Sequence, residues 1–120
     1  MSNTLMIVDD SRVAYAEMLK HLADTDFEVV GYCRSGEEAL ALYNECKPDV
    51  VTMDIVMPGE DGFDAARSIL EVHPDARILM VSSLAYDEAI DEAVAIGAKG
   101  FVFKPLEKEQ LINALTNALR

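Results

Sequence analysis

The chain is short of the residues that mark several common protein classes. It has two cysteines, Cys33 and Cys46, and they form no Cys-x-x-Cys pair. Neither a disulfide framework nor a thiolate zinc site is encoded, and two free, half-buried thiols in a reducing cytoplasm are expected. His21 and His73 fall on different expected helices, both as surface residues, which also disfavours zinc. No apolar run approaches the roughly 18 residues of a membrane span. The start, Met1-Ser2-Asn3-Thr4-Leu5, lacks the basic and apolar segments of a signal peptide. Cations are scarce: 10 Lys and Arg stand against 22 Asp and Glu, for a net charge of -12. Such a surface repels nucleic acid phosphates, so no direct DNA or RNA binding is expected. No Gly-x-Gly-x-x-Gly occurs, which removes the dinucleotide fingerprint. Gly31 to Gly36 has the glycine spacing of a P-loop, but Glu37-Glu38 stand where Lys and Ser/Thr are required.

What is present fits one globular domain. The 120 residues are 51% hydrophobic, enough for a real core. Five short apolar runs alternate with amphipathic stretches. Thr4 to Val8 runs into Asp9-Asp10, and Asp49 to Met53 into Asp54. Ile78 to Val81 runs into Ser82-Ser83, and Gly100 to Phe103 into Lys104-Pro105. The second run, Glu28 to Cys33, ends without a chemically active group. The first helix is expected from Ser11 to Ala23, with Tyr15, Met18, Leu19 and Leu22 as its apolar stripe. The second opens with the capping-box spacing of Ser35 to Glu38 and stops at Pro48. Its stripe is Ala39, Leu42, Tyr43 and Cys46. The third follows Gly62, buries Ala66, Ile69 and Leu70, and closes at Pro74. The fourth turns Ile90, Ala93 and Val94 inward and Asp87, Glu88, Asp91 and Glu92 outward, with Gly97 as its cap. The fifth, about Leu106 to Leu119, buries Leu111 and Leu115.

The third and fourth runs are apolar nearly throughout, as strands covered on both faces are. Right-handed crossovers then give an α/β, flavodoxin-like, doubly wound sheet of five parallel strands in the order 2-1-3-4-5. That order sets Asp9, Asp10 and Asp54 together at the switch point. Acids after a strand often serve only as helix caps. A third acid aimed at the same edge crowds like charges, which a proton or a cation must offset. Mg²⁺, which prefers oxygen ligands, suits that set. Lys104 closes the crevice and Ser82 adds a hydroxyl. A nucleophilic aspartate, a divalent cation, a lysine and a hydroxyl are the parts needed to place phosphate on a carboxylate.

These pieces resemble the receiver domain of two-component response regulators, over essentially the whole chain. The matching segments are Ile7 to Ser11, Asp54 to Gly62, Val81 to Ser83 and Lys104-Pro105. The resemblance implies Mg²⁺ on Asp9, Asp10, Asp54 and the backbone carbonyl of Val56. It implies Asp54 as phosphoacceptor, Lys104 as phosphate-binding lysine, Ser82 as switch hydroxyl and Phe101 as switch aromatic. A cis Lys104-Pro105 bond is also implied. The family's two water-orienting positions fall on Val56 and Leu84, both apolar, so slow autodephosphorylation is expected.

The function expected is a cytoplasmic, phosphorylation-dependent signalling switch, 1–120 forming one receiver domain, stand-alone or part of a longer regulator. It is not expected to be an enzyme beyond its own phosphoryl transfer and autodephosphorylation. A sensor histidine kinase or phosphotransfer protein should dock near Arg12, Val13 and Tyr15. A downstream effector should meet helix four, strand five and helix five. Monomer and phosphorylation-dependent dimer are both compatible, and no membrane contact is expected. A Mg²⁺-dependent aspartyl phosphohydrolase is the main alternative, disfavoured because Val56 stands where a second acid is wanted. A flavin carrier of the same topology is disfavoured because the acidic crevice repels a flavin phosphate.

Overall fold

The computed structural model describes residues 3–83 and 87–120. In chain order these form β1 (Asn3–Val8), α1 (Arg12–Leu22), β2 (Phe27–Cys33), α2 (Gly36–Cys46), β3 (Val50–Asp54), α3 (Gly62–Val72), β4 (Ile78–Ser82), α4 (Asp87–Ile96), β5 (Gly100–Phe103) and α5 (Lys108–Ala118). The strands make one parallel sheet in the order β2-β1-β3-β4-β5, as the sequence pattern requires.

Side chains alternate across the strands and split the core in two. Leu5, Ile7, Val50, Leu79 and Val81 face α1 and α5, where they meet Met18, Leu22, Leu111 and Leu115. Met6, Val8, Val51, Met53, Ile78 and Met80 face the other way, toward Ala39, Ala66, Ile69 and Ala93. Every residue of β3 and β4 is buried, which is why those runs are apolar nearly throughout. β2 is an edge strand, and its register against β1 shifts between Leu5 and Met6. Leu5 pairs with Val29 but Met6 pairs with Gly31, so Val30 is bulged out.

Several local expectations need correction. α1 buries Ala14, Met18 and Leu22, one turn apart, and leaves Leu19 exposed. α4 seats on Ala89 and Ala93, a narrow stripe of small residues, so Val94, one step further round, is 71% exposed rather than inward. Ser35 stands at the α2 N-terminus without a side-chain capping bond. α2 ends at Cys46 with Lys47 in the left-handed region, one residue before Pro48. α5 begins at Lys108, with Glu107 at its cap position and Leu106 buried ahead of it. Both histidines are half-buried: His21 Nε2 donates to the Leu106 carbonyl at 3.1 Å, and His73 Nε2 lies 2.5 Å from Asn44 Oδ1. Cys33 is buried and Cys46 half-buried, both as free thiols. Gly97 takes φ +93 just beyond α4, as the cap requires.

One glycine joins the fold to the sheet edge. Gly62 opens α3 and donates its N–H to the Ile55 carbonyl at 2.8 Å. A Cβ there would stand 2.1 Å from the Asp54 carbonyl oxygen and 2.7 Å from Ile55 Cα. Both are backbone atoms that cannot rotate away. Gly62→Ala is expected to cost about 2–3 kcal/mol of stability in urea unfolding. A loss under about 0.5 kcal/mol would contradict the close approach.

Candidate functional site

Strand pairing brings the singled-out residues to one edge. Val8 pairs with Met53, so the next residues, Asp9 and Asp54, leave β1 and β3 side by side. Asp54 pairs with Val81, and Ser82 with Phe103, which sets Ser82 and Lys104 on the neighbouring strand ends. The backbone ties these ends: Ile55 N donates to Val81 O at 3.1 Å, and Lys104 N to Ser82 O at 2.8 Å.

One carboxylate oxygen from each of Asp9, Asp10 and Asp54 lies within 4.8 Å of the others. Lys104 Nζ reaches into this group, 2.9 Å from Asp9 Oδ2 and 3.5 Å from Asp54 Oδ1. Asp9 is 1% exposed and Asp54 5%, so water does little to screen them. Ser82 is buried beside them at the end of β4. The Lys104–Pro105 bond is cis. Phe101 is half-buried on β5, its ring tilted against Phe103 at 5.1 Å between centroids. Val56 follows the acid by two residues and is 57% exposed. Leu84 lies outside the described residues.

The charges are unequal. Burial, then repulsion from Asp9, pushes the Asp54 carboxyl up to about 7, against the pull of Lys104. Burial alone would lower the Lys104 ammonium, but contact with Asp9 and the charge of Asp54 hold it above the ordinary lysine value. Asp9 Oδ2 is buried and accepts no hydrogen bond, and the Lys104 ammonium stands 2.9 Å away as its ion-pair partner. A crowded set of carboxylate oxygens, one of them unsatisfied, fits a hard divalent cation such as Mg²⁺.

Three contacts around the crevice escape a reading by residue type. Tyr32 Oη donates to the Asp9 carbonyl at 3.0 Å. Arg34 donates to the Asp10 carbonyl from Nε at 3.3 Å and Nη2 at 3.1 Å. Glu37 Oε1 accepts from Glu60 N at 2.9 Å, which holds its carboxyl below the usual range. These residues belong to the end of β2, the turn after it and the start of α2. The available signal was a tyrosine and an arginine at the end of the strand that carries no acid.

Fold and crevice define a doubly wound α/β domain with an acidic, lysine-closed pocket at its switch point. The model of the response regulator receiver domain matches residues 5–116. A chemotaxis protein CheY of Listeria monocytogenes is 37% identical over 116 residues, covering 97% of this chain and 98% of its own. CheY of Thermotoga maritima is 36% identical, covering 96% of each chain. The structure is also similar to a CheX-CheY-BeF3-Mg complex from Borrelia burgdorferi, with TM-score 0.94 and 28% identity. That match covers 98% of this chain and 90% of that one. The chain belongs to the response regulator receiver family of two-component systems, and its expected function is a phosphorylation-dependent signalling switch.

The raised Asp54 carboxyl has a consequence for stability. Its value near 7 lies above the ordinary 3.8, so the folded protein binds the extra proton between those limits. Stability is therefore lost as pH rises through that window, and the cost is largest above pH 7. In chelator, Asp54→Asn should raise stability at pH 8 by roughly 1–2 kcal/mol, after allowance for solvent screening. At pH 4 it should change little. Thermal melts followed by circular dichroism would show a few degrees at pH 8, and an equal shift at both pH values would contradict the assignment.

Proposed function

We propose that Asp54 is the phosphoacceptor of a two-component relay. The observation that carries this reading is a buried carboxylate set between two further acids and one lysine at the switch point of the sheet. In its ionised form, an Asp54 oxygen attacks the phosphorus of a phosphohistidine on a sensor histidine kinase or phosphotransfer protein. The phosphorus–nitrogen bond breaks and the electron pair leaves with the imidazole. Asp9, Asp10, Asp54 and the Val56 carbonyl would hold Mg²⁺, which when bound neutralises charge on the transferring group. Lys104 already stands between Asp9 and Asp54, and it pairs with a phosphoryl oxygen as charge develops. Ser82 donates its hydroxyl to the product, and Phe101 turns inward behind it.

The partner surfaces follow. Val13 is exposed beside a cleft lined by Ser11, Ala14, Glu17, Lys104 and Pro105, which supports docking of the phosphodonor beside Arg12, Val13 and Tyr15. Phe101 borders a second shallow cleft with Ile90 and Val94, next to exposed Phe103. That face of α4, β5 and α5 is the one offered to an effector, or to a second phosphorylated copy. The protein catalyses its own phosphoryl transfer and slow loss of phosphate, and no other reaction. Among the described residues no helix is long and apolar enough to cross a membrane; the cytoplasm is the compartment proposed from the family resemblance.

Acetyl phosphate and Mg²⁺ should give one phosphoryl adduct by intact-protein mass spectrometry, absent in Asp54→Asn. Lys104→Met should slow its formation by about 10²-fold. An adduct that persists in Asp54→Asn would overturn the assignment. Since neither Val56 nor Leu84 offers a side-chain hydrogen bond to water, the adduct should last minutes or longer in Mg²⁺. Decay within seconds would contradict that part.

A further inference from the structure

We infer that Tyr32 is a positioning residue for the divalent cation, acting through the backbone of the acidic pair. The inference rests on the metal-holding role proposed for Asp9 and Asp10. Asp9 is fixed at three points. Its N–H donates to Cys33 O at 3.1 Å, its Oδ1 accepts from Ser11 N at 2.8 Å, and its carbonyl accepts from Tyr32 Oη at 3.0 Å. A peptide unit is planar, so holding the Asp9 carbonyl sets both the ψ of Asp9 and the orientation of the Asp10 amide. Arg34 holds the next carbonyl, that of Asp10. The two peptide planes that flank Asp10 are thus pinned by side chains from the end of β2 and just beyond it. Together they decide where both carboxylates stand.

The tyrosine is itself held. Its ring stacks on Tyr15 of α1 at 3.8 Å between centroids, 7° from parallel. The bulge at Val30 makes this possible. It pairs Tyr32 with Ile7, whose side chain faces α1, whereas an unshifted register would pair it with Val8, which faces α2. A hydroxyl carried on a stacked ring loses little freedom on forming its bond, so the loop is set before the cation arrives. Crowded carboxylates would otherwise spread apart by rotating these peptides. The bond from Tyr32 resists that spreading and favours the geometry the cation needs.

Tyr32→Phe keeps the stacked ring and removes the one donor. Arg34 is the poorer probe, because removing its charge raises cation affinity while freeing the loop lowers it. Mg²⁺ affinity would be measured by isothermal titration calorimetry on wild type, Tyr32→Phe and Asp9→Asn. The acetyl phosphate reaction rate would be followed against Mg²⁺ concentration alongside. The expected result is a three- to tenfold weaker Mg²⁺ affinity in Tyr32→Phe. The rate at saturating Mg²⁺ should match wild type, with only the half-saturating concentration raised. A purely structural tyrosine would lower the melting temperature and leave Mg²⁺ affinity unchanged, and that result overturns the inference. If Asp9→Asn also binds Mg²⁺ as wild type does, the metal reading itself falls and takes this one with it.

Discussion

Crowding of negative charge at the ends of β1 and β3 is the constraint on which the rest of this structure depends. Asp9 and Asp54 are buried side by side, with Asp10 in reach, and among these groups one ammonium answers three carboxylates. Burying like charges is expensive, and a fold keeps such an arrangement only when it is held from outside. Here burial and the charge of Asp9 push the Asp54 carboxyl up to about 7, so near neutral pH its protonated and ionised forms are close to balance. A group so poised responds strongly to any added positive charge.

The scaffold supplies the holding. The strand order makes β1 and β3 neighbours, and Gly62 lets α3 start directly against the Asp54 backbone. Glu37 grips the loop after β3 through Glu60 N, while Tyr32 and Arg34 grip the loop after β1. The β2–α2 segment contributes no carboxylate to the cluster, yet it touches both loops that do. Rigid support on one side and two exposed faces on the other, around Val13 and around Val94 and Phe103, suit a signalling domain. One face lies by the crevice, and the other lies at α4 and β5.

How much of this was legible in the sequence depended on the kind of interaction. Nearly continuous apolar runs at β3 and β4 report burial on two faces, and their alternation with helices gave the parallel sheet and the strand-end positions of Asp9, Asp54, Ser82 and Lys104, while the strand order came from the crossover rule and the expected fold type. Helix faces were less legible. Val94 and Leu19 look as apolar as true core residues, but the helices pack on the stripes Ala89–Ala93 and Ala14–Met18–Leu22 instead. The spacing of Ser35 and Glu38 suggested a cap at α2, yet Ser35 makes no side-chain bond there. Tyr32 was hidden most deeply. Its role needs the register shift between Leu5 and Met6, and no composition or spacing rule reports a bulge of one residue.

The account turns on the charge balance at Asp54, and its carboxyl can be titrated directly. Carbon-13 NMR of labelled aspartate carboxyls, assigned with Asp54→Asn, would be followed against pH in chelator and then in Mg²⁺. The account predicts a midpoint near 7 without metal, moving to clearly lower pH when Mg²⁺ is present. A midpoint near the ordinary aspartate value in chelator, unmoved by Mg²⁺, would contradict it.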